Sequence, residues 1–232
     1  MMRFIFKLWP VWTLVGLAAA AYLLPPLPPF QLKEVLVMIP PTRMTETELV
    51  RQSGVVRGDN LLTLSLREVR KNILKSPWIF DVHLAKSYPG YLIVSIREQE
   101  PVALVRGKYL HLVNHEGTLF KKLEAGDPKN LPVITGLDDF SKAALKPLTD
   151  LIAEFQNREE LKEIGLSEIH WNGKKGVSIY TVRPVFKAVL GHTDWPERLT
   201  RLVQILPELR TGEGGPASVD LTYEKRVFVK RG

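Results

Sequence analysis

Val82-His83-Leu84-Ala85-Lys86-Ser87-Tyr88-Pro89-Gly90-Tyr91-Leu92-Ile93-Val94-Ser95-Ile96-Arg97-Glu98 reads as two strands joined by a turn. Val82, Leu84 and Lys86 alternate on the way in. Leu92, Val94 and Ile96 alternate on the way back, out of phase with polar Ser95 and Arg97. A period of two puts one row of side chains on a core and the other outward, and Tyr88-Pro89-Gly90 supplies the reversal.

Upstream of this hairpin the period changes. Ser65-Leu66-Arg67-Glu68 is a capping box, and Leu66, Val69, Ile73 and Leu74 mark one face of a helix that Ser76-Pro77 stops. Gly58-Asp59-Asn60 reads as a turn. Thr45-Glu46-Thr47-Glu48 is an earlier capping box, opening a short helix with Leu49 and Val50 that ends near Gly54. Val35, Val37 and Ile39 alternate with Leu36 and Met38 in a strand closed by Pro40-Pro41. The order over residues 30–98 is therefore β-α-α-β-β. A helix pair on a three-stranded sheet buries these faces, and the expected class is α+β.

Further upstream, Pro25-Pro26-Leu27-Pro28-Pro29 forbids helix and favours an extended spacer that lifts the following domain off a surface. Leu8 to Leu24 contains no charge. As a helix this stretch rises about 25 Å, or about 31 Å counted from Phe4, close to a bilayer core. Arg3 and Lys7 precede it and no cation follows until Lys33. The positive-inside bias then puts residues 1–7 in the cytoplasm and the bulk beyond a single transmembrane helix at 8–24. A cleaved signal peptide with small residues at Ala18–Ala21 is the alternative. The apolar run through Tyr22-Leu23-Leu24 favours retention.

Downstream, residues 101–232 read as a second, β-rich domain. Tyr109-Leu110-His111-Leu112-Val113 is a strand, followed by the turn Asn114-His115-Glu116-Gly117 and the partner Thr118-Leu119-Phe120. Leu145, Leu148, Ile152 and Phe155 mark a helix face, interrupted early by Pro147. Ile169 and Trp171 lead to a turn near Asn172-Gly173. Val177, Ile179 and Tyr180 suggest the next strand, and Val185 to Leu190 another. Asp194-Trp195-Pro196-Glu197 opens a helix that Leu199, Leu202 and Leu206 carry as far as Pro207. Beyond Gly212–Gly215, Val219–Tyr223 and Arg226–Lys230 are the closing strands.

No chemistry emerges from the 232 residues. There is no cysteine, so neither disulfides nor thiolate metal sites are available. His83, His111, His115, His170 and His192 show no metal-ligand spacing. Asp138-Asp139 and Glu159-Glu160 are adjacent pairs whose side chains diverge, which suits helix caps and solvated faces better than acid–base work. No nucleophile elbow or phosphate-binding glycine loop occurs. Trp78, Trp171 and Trp195 read as packing residues, and Lys174-Lys175 as a solvated turn. The formal charge of +7 falls to +5 without Arg3 and Lys7 (7 − 2), too dispersed for nucleic acid but suited to acidic partners. Catalysis, metals and cofactors are not expected, which leaves binding and placement.

A sheet edge offers unpaired N–H and C=O groups to another chain. Arg226–Lys230 is short, β-rich and basic at both ends, so its charges deter self-pairing and attract an acidic partner. Its alternative reading is an interior strand.

A resemblance ties these features together. Gly58-Asp59-Asn60-Leu61-Leu62, Ser76-Pro77-Trp78-Ile79, Tyr88-Pro89 and Leu92-x-Val94-x-Ile96-x-Glu98 resemble a POTRA domain. Arg97-Glu98-Gln99-Glu100-Pro101-Val102-Ala103 is similar to the exit signature of the FtsQ/DivIB cell-division family. So are the hairpin Tyr109–Phe120, the segment Leu131-Pro132-Val133-Ile134-Thr135-Gly136, and Val219-Asp220-Leu221-Thr222-Tyr223, with Thr222 where a basic residue is commoner. The resemblance implies a non-enzymatic division scaffold, single-pass in the bacterial inner membrane with its bulk in the periplasm at the septum. It would hold FtsB- and FtsL-like partners and thereby help recruit and regulate septal peptidoglycan synthesis. The implied binding residues are Tyr223, Arg226, Val227, Phe228, Val229 and Lys230. The other readings are a POTRA-containing export or outer-membrane assembly component, for which too few residues follow the POTRA block, and an envelope enzyme, for which no catalytic set is present.

Overall fold

The computed structural model describes residues 13, 15–17, 30–211, 216–223 and 226–231. Residues 13 and 15–17 are helical. The rest of the expected span, the cytoplasmic tail and the proline spacer lie outside the described residues. Among the described residues, no helix is long and apolar enough to cross a membrane. The chain divides into two compact units, Met1–Glu98 and Gln99–Gly232.

In the first unit, β1 (Glu34–Val37) is followed by α1 (Glu46–Ser53), α2 (Leu66–Ile73), β2 (Ile79–Ser87) and β3 (Tyr91–Glu98). The sheet order is β1-β3-β2, with β1 parallel and β2 antiparallel to β3. Thr45 forms the expected capping box with Glu48, and Gly54 ends α1 in the left-handed conformation at φ 74°. The Ser65 side chain caps α2 through the Glu68 N–H. Leu49, Val69 and Ile73 from the helices meet Val82, Leu92, Val94 and Ile96 from the sheet in one core, with Leu32 and Leu61 from the loops. The motif residue Glu98 has a structural task. Its carboxylate accepts from the N–H groups of Thr42 and Arg43, each at 3.0 Å, and from the Thr42 hydroxyl, fastening the loop after β1 to the end of β3.

In the second unit, β4 (Pro101–Arg106), β5 (Leu110–Asn114), β6 (Leu119–Lys122) and β7 (Val133–Thr135) precede α3 (Lys142–Gln156) and α4 (Glu159–Ile164). Then come β8 (Leu166–Asn172), β9 (Gly176–Thr181), β10 (Lys187–Gly191), α5 (Trp195–Thr211), β11 (Pro216–Asp220) and β12 (Phe228–Arg231). Among the described residues these strands form one nine-stranded sheet in the order β12-β11-β10-β9-β8-β7-β4-β5-β6. The crossovers to β7, β8 and β11 are parallel pairings, the last two made through helices. The α+β class, with a β-rich second unit flanked by helices, follows from these elements.

Several expected boundaries move. Pro147 does not interrupt α3, which runs from Lys142 to Gln156 with the proline inside it. One lost backbone bond is outweighed by burial of Leu145, Leu148, Leu151, Ile152 and Phe155. Likewise α5 continues past Pro207 to Thr211, because Leu209 extends the buried stripe of Leu199, Leu202 and Leu206. Val185 is 75% exposed in the loop before β10 and belongs to no strand. The strand expected at Val219–Tyr223 is Pro216–Asp220, leaving Leu221 to Tyr223 as a turn. The last strand is Phe228–Arg231, not Arg226–Lys230. Thr135-Gly136 closes β7 at φ 78°, where a Cβ would run into the carbonyl oxygen of Trp171. That close approach explains a glycine at this point of the motif.

Candidate partner-binding edge

The pairing registers line up one row of residues across the sheet: Val105, Ile134, Ile169, Ile179, Ala188, Val219 and Val229. The first six are buried and share a core with α3, α4 and α5. The seventh, Val229 on β12, is 40% exposed. A neighbouring row on the opposite face runs Thr135, His170, Ser178, Val189, Asp220 and Phe228. It ends on Phe228, 51% exposed. Side chains alternate along a strand, so Phe228 and Lys230 share one face while Val229 and Arg231 share the other. All four residues of β12 are exposed.

Among the described residues β12 pairs only with β11, antiparallel, matching Phe228 with Asp220, Val229 with Val219 and Lys230 with Ser218. Its outer side therefore presents N–H and C=O groups that no strand of the sheet takes. The opposite edge, β6, is built differently. Leu119, Phe120 and Lys121 are half-buried there. The Lys121 ammonium bonds Glu124 and Asp127, each at 2.6 Å. Burial works against that ammonium, but the two carboxylates outweigh it and raise its pKa. Lys122 lies over the Tyr109 ring at 3.6 Å. The two edges have similar side chains, Leu119-Phe120-Lys121-Lys122 at β6 and Phe228-Val229-Lys230-Arg231 at β12, but β6 is mostly half-buried with Lys121 ion-paired, whereas all four residues of β12 are exposed.

The binding residues expected from the sequence gather here, with different exposures. Tyr223, 55% exposed, stands in the turn before the strand, and its ring meets Phe228 edge-on at 4.9 Å. Phe228, Val229 and Lys230 lie in β12, and Arg226 is exposed just before it. Val227 is half-buried and packs on the main core, so it anchors the strand rather than facing outward. Tyr223 and Phe228 thus form an apolar pair on the face of Lys230, Val229 lies on the opposite face with Arg231, and Arg226 is exposed just before the strand.

Two contributors were not foreseen. Arg231 extends the cationic border on the face of Val229. Arg201, on α5, reaches the turn and donates to the carbonyls of Tyr223 at 2.5 Å and Leu221 at 3.0 Å. It fastens the path from β11 to β12. Asp220 assists by accepting from the Thr222 N–H at 2.9 Å and hydroxyl at 2.6 Å. Nothing in the local pattern around Arg201 signals this, because its partners lie 20 and 22 residues away.

Elsewhere among the described residues, one polar cluster brings a histidine, a carboxylate and a hydroxyl together. The Thr135 hydroxyl lies 2.5 Å from Glu168 and 2.8 Å from the His170 Nδ1, but carboxylate and hydroxyl meet the imidazole on the same nitrogen. A carboxylate that orients a general base must hold the other ring nitrogen, so this trio is a surface hydrogen-bond cluster on the strands. His111 and His115 lie in and after β5, and His111 is directed to the Tyr109 carbonyl. Among the described residues, no group of three or more His, Asp or Glu could hold a metal ion.

Comparison with known proteins agrees with this architecture. Residues 30–99 match the profile of the POTRA domain, FtsQ-type, and residues 103–222 that of cell division protein FtsQ/DivIB, C-terminal. The second match stops short of β12. The chain is 34% identical over 192 residues to the cell division protein FtsQ of Geotalea daltonii, covering 79% of this chain and 70% of that protein. It is 29% identical over 206 residues to that of Geobacter sp. strain M21, covering 85% and 75%. It is also 29% identical over 196 residues to that of Syntrophotalea carbinolica, covering 81% and 70%. With both profiles matched in order and a relative above 30% identity aligned over most of its length, the chain belongs to the FtsQ/DivIB family of cell-division proteins.

Proposed function

We propose that this protein is a non-enzymatic divisome scaffold whose β12 edge captures FtsB- and FtsL-like membrane partners, and through them helps recruit and regulate septal peptidoglycan synthesis. The observation that carries the reading is the ending of two sheet-wide rows on exposed Val229 and Phe228 at an uncovered edge. A partner segment that adds as a further strand extends the backbone ladder, covers Val229 on one face and Phe228 with Tyr223 on the other, and meets Arg226, Lys230 and Arg231 with carboxylates. The chain is tethered by a single helix over residues 8–24, with the cytoplasmic tail before it and both folded units in the periplasm. The absence of charge across Leu8–Leu24 and the cations before it support this topology.

The test is capture of an acidic FtsB-like segment by the full chain and by a variant with Arg226 and Lys230 reversed to glutamate. Reversal is expected to weaken capture at least about tenfold at low salt, with the difference shrinking as salt screens the charges. Equal dissociation constants for the two folded proteins would count against β12 as the docking edge.

A further inference from the structure

The first unit has a second surface with an unused chemistry, at the end where the chain enters it. Three loops are laced together there. The Leu32 N–H donates to the Asp59 carbonyl, the Gly58 N–H to the Leu32 carbonyl and the Leu61 N–H to the Phe30 carbonyl, each at 2.8 Å. The Lys33 N–H donates to the Gly90 carbonyl at 2.7 Å, and the Phe30 ring meets Tyr88 edge-on at 5.7 Å. The Lys86 ammonium reaches the Leu62 carbonyl at 3.5 Å. This one cluster displays Val56 at 66% exposure, Leu62 at 50% and Tyr88 at 51%, beside exposed Lys33 and Arg57. Among the described residues, neither of those two cations is in a salt bridge. The neighbouring carboxylate, Asp59, is half-buried and accepts from the Val56 N–H at 2.8 Å. Aliphatic tips, an aromatic pair and cations at a single rim are the side-chain set of a bilayer interface.

We propose that this rim rests on the lipid bilayer in which the chain is anchored, with Val56, Leu62 and Tyr88 in the headgroup layer and Lys33, Arg57 and Lys86 against lipid phosphates. The inference depends on the anchor at residues 8–24 and goes beyond the edge-capture reading. Chain length favours the bilayer as occupant. From Leu24 to Phe30 is six residue steps, so Phe30 stays within about 20 Å of the end of the span. Docking requires that the extended spacer of residues 25–29 run along the bilayer instead of lifting the domain off it. Of all surfaces of the first unit, the rim carrying Phe30 is the one held closest to the membrane. Charge agrees in part: Lys33 and Arg57 are exposed cations suited to anionic headgroups, with one exposed carboxylate, Glu34, beside Lys33.

The absence of cysteine allows a direct test. Leu62→Cys and, on the exposed first turn of α1, Thr47→Cys are introduced separately into the full chain. Each is labelled with an environment-sensitive fluorophore and reconstituted into nanodiscs containing phosphatidylglycerol and headgroup-quencher lipid. Quenching at position 62 is expected to exceed that at 47 by at least about twofold, because interfacial groups sit about 5–10 Å into the headgroup boundary. Arg57→Glu combined with Lys33→Glu is expected to lower it. Equal, weak quenching at both positions in disc-bound protein overturns the docking while leaving the anchor standing, and points to a protein occupant or none. Failure of the chain to co-purify with discs overturns both the anchor and the docking. Neither result touches capture at β12, which is read with a peptide.

Discussion

Phe228→Ala probes the edge most directly. The ring is 51% exposed, so a docking strand has about half of a phenylalanine left to cover, roughly 100 Å². At about 25 cal/mol per Å² this is worth about 2.5 kcal/mol, and ordering the side chains at the contact takes back about 0.5–1 kcal/mol. The net loss on truncation is then about 1.5–2 kcal/mol, or roughly 10- to 30-fold in dissociation constant. The fold itself loses less, because Val227 still holds the strand on the core and the β11–β12 ladder remains. The assay is fluorescence anisotropy of a labelled FtsB-like segment titrated with the full chain. A thermal melt of the free protein confirms that the variant is folded. Most of the change is expected in the dissociation rate. A folded Phe228→Ala protein whose dissociation constant stays within about twofold of the parent would refute the assignment of this face, since a contact worth over 1 kcal/mol shifts binding about fivefold or more.

Other perturbations address how the structure supports that edge and its neighbours. Arg201→Met removes two donors from the carbonyls of Leu221 and Tyr223. It should speed amide hydrogen exchange in β11 and β12 and leave the first unit unchanged; uniform exchange would deny Arg201 its positioning role. Glu98 titrates in a way that makes the first unit acid-sensitive. Burial pushes its carboxyl up, but the Thr42 hydroxyl, the N–H groups of Thr42 and Arg43 and the Arg43 charge outweigh this and hold it below the ordinary value. A depressed folded-state pKa stabilises above the unfolded value, about 4.3, and that contribution is lost as pH falls through the folded value. The melting temperature of the first unit should therefore drop on acidification below about pH 4.3, and Glu98→Gln should flatten that slope; identical slopes would remove Glu98 from the account. Gly136→Ala combines a φ of 78° with a clash against the Trp171 carbonyl and should cost at least about 2 kcal/mol of denaturant stability. Gly173→Ala, with open space around it, should cost little.

Much of the secondary structure was legible locally. Alternation in Val82–Lys86 and Leu92–Ile96, and the caps at Thr45 and Ser65, depend on neighbours within a turn or two. Prolines misled for the same reason. Pro147 and Pro207 break helices by local rule, yet both helices continue because residues beyond them reach a core assembled from distant strands. The candidate site was half legible. The aromatic, β-rich and cationic character of residues 223–230 could be read directly, but the alternatives of edge and interior strand stayed open. Arg201 was invisible, as its partners are distant along the chain.

Composition and periodicity alone determined which segments are apolar on one face, where turns fall, that an uncharged stretch precedes the folded units, and which family signatures occur in which order. Those properties belong to short windows, where backbone sterics and side-chain spacing act without the rest of the chain. Only the tertiary structure decided that, among the described residues, nine strands share one sheet and that its two ends differ: mostly half-buried at β6, fully exposed at β12. An edge is defined by the absence of a neighbour, and which strands become neighbours depends on long-range pairing energies summed over the whole sheet rather than on the residues of any one strand.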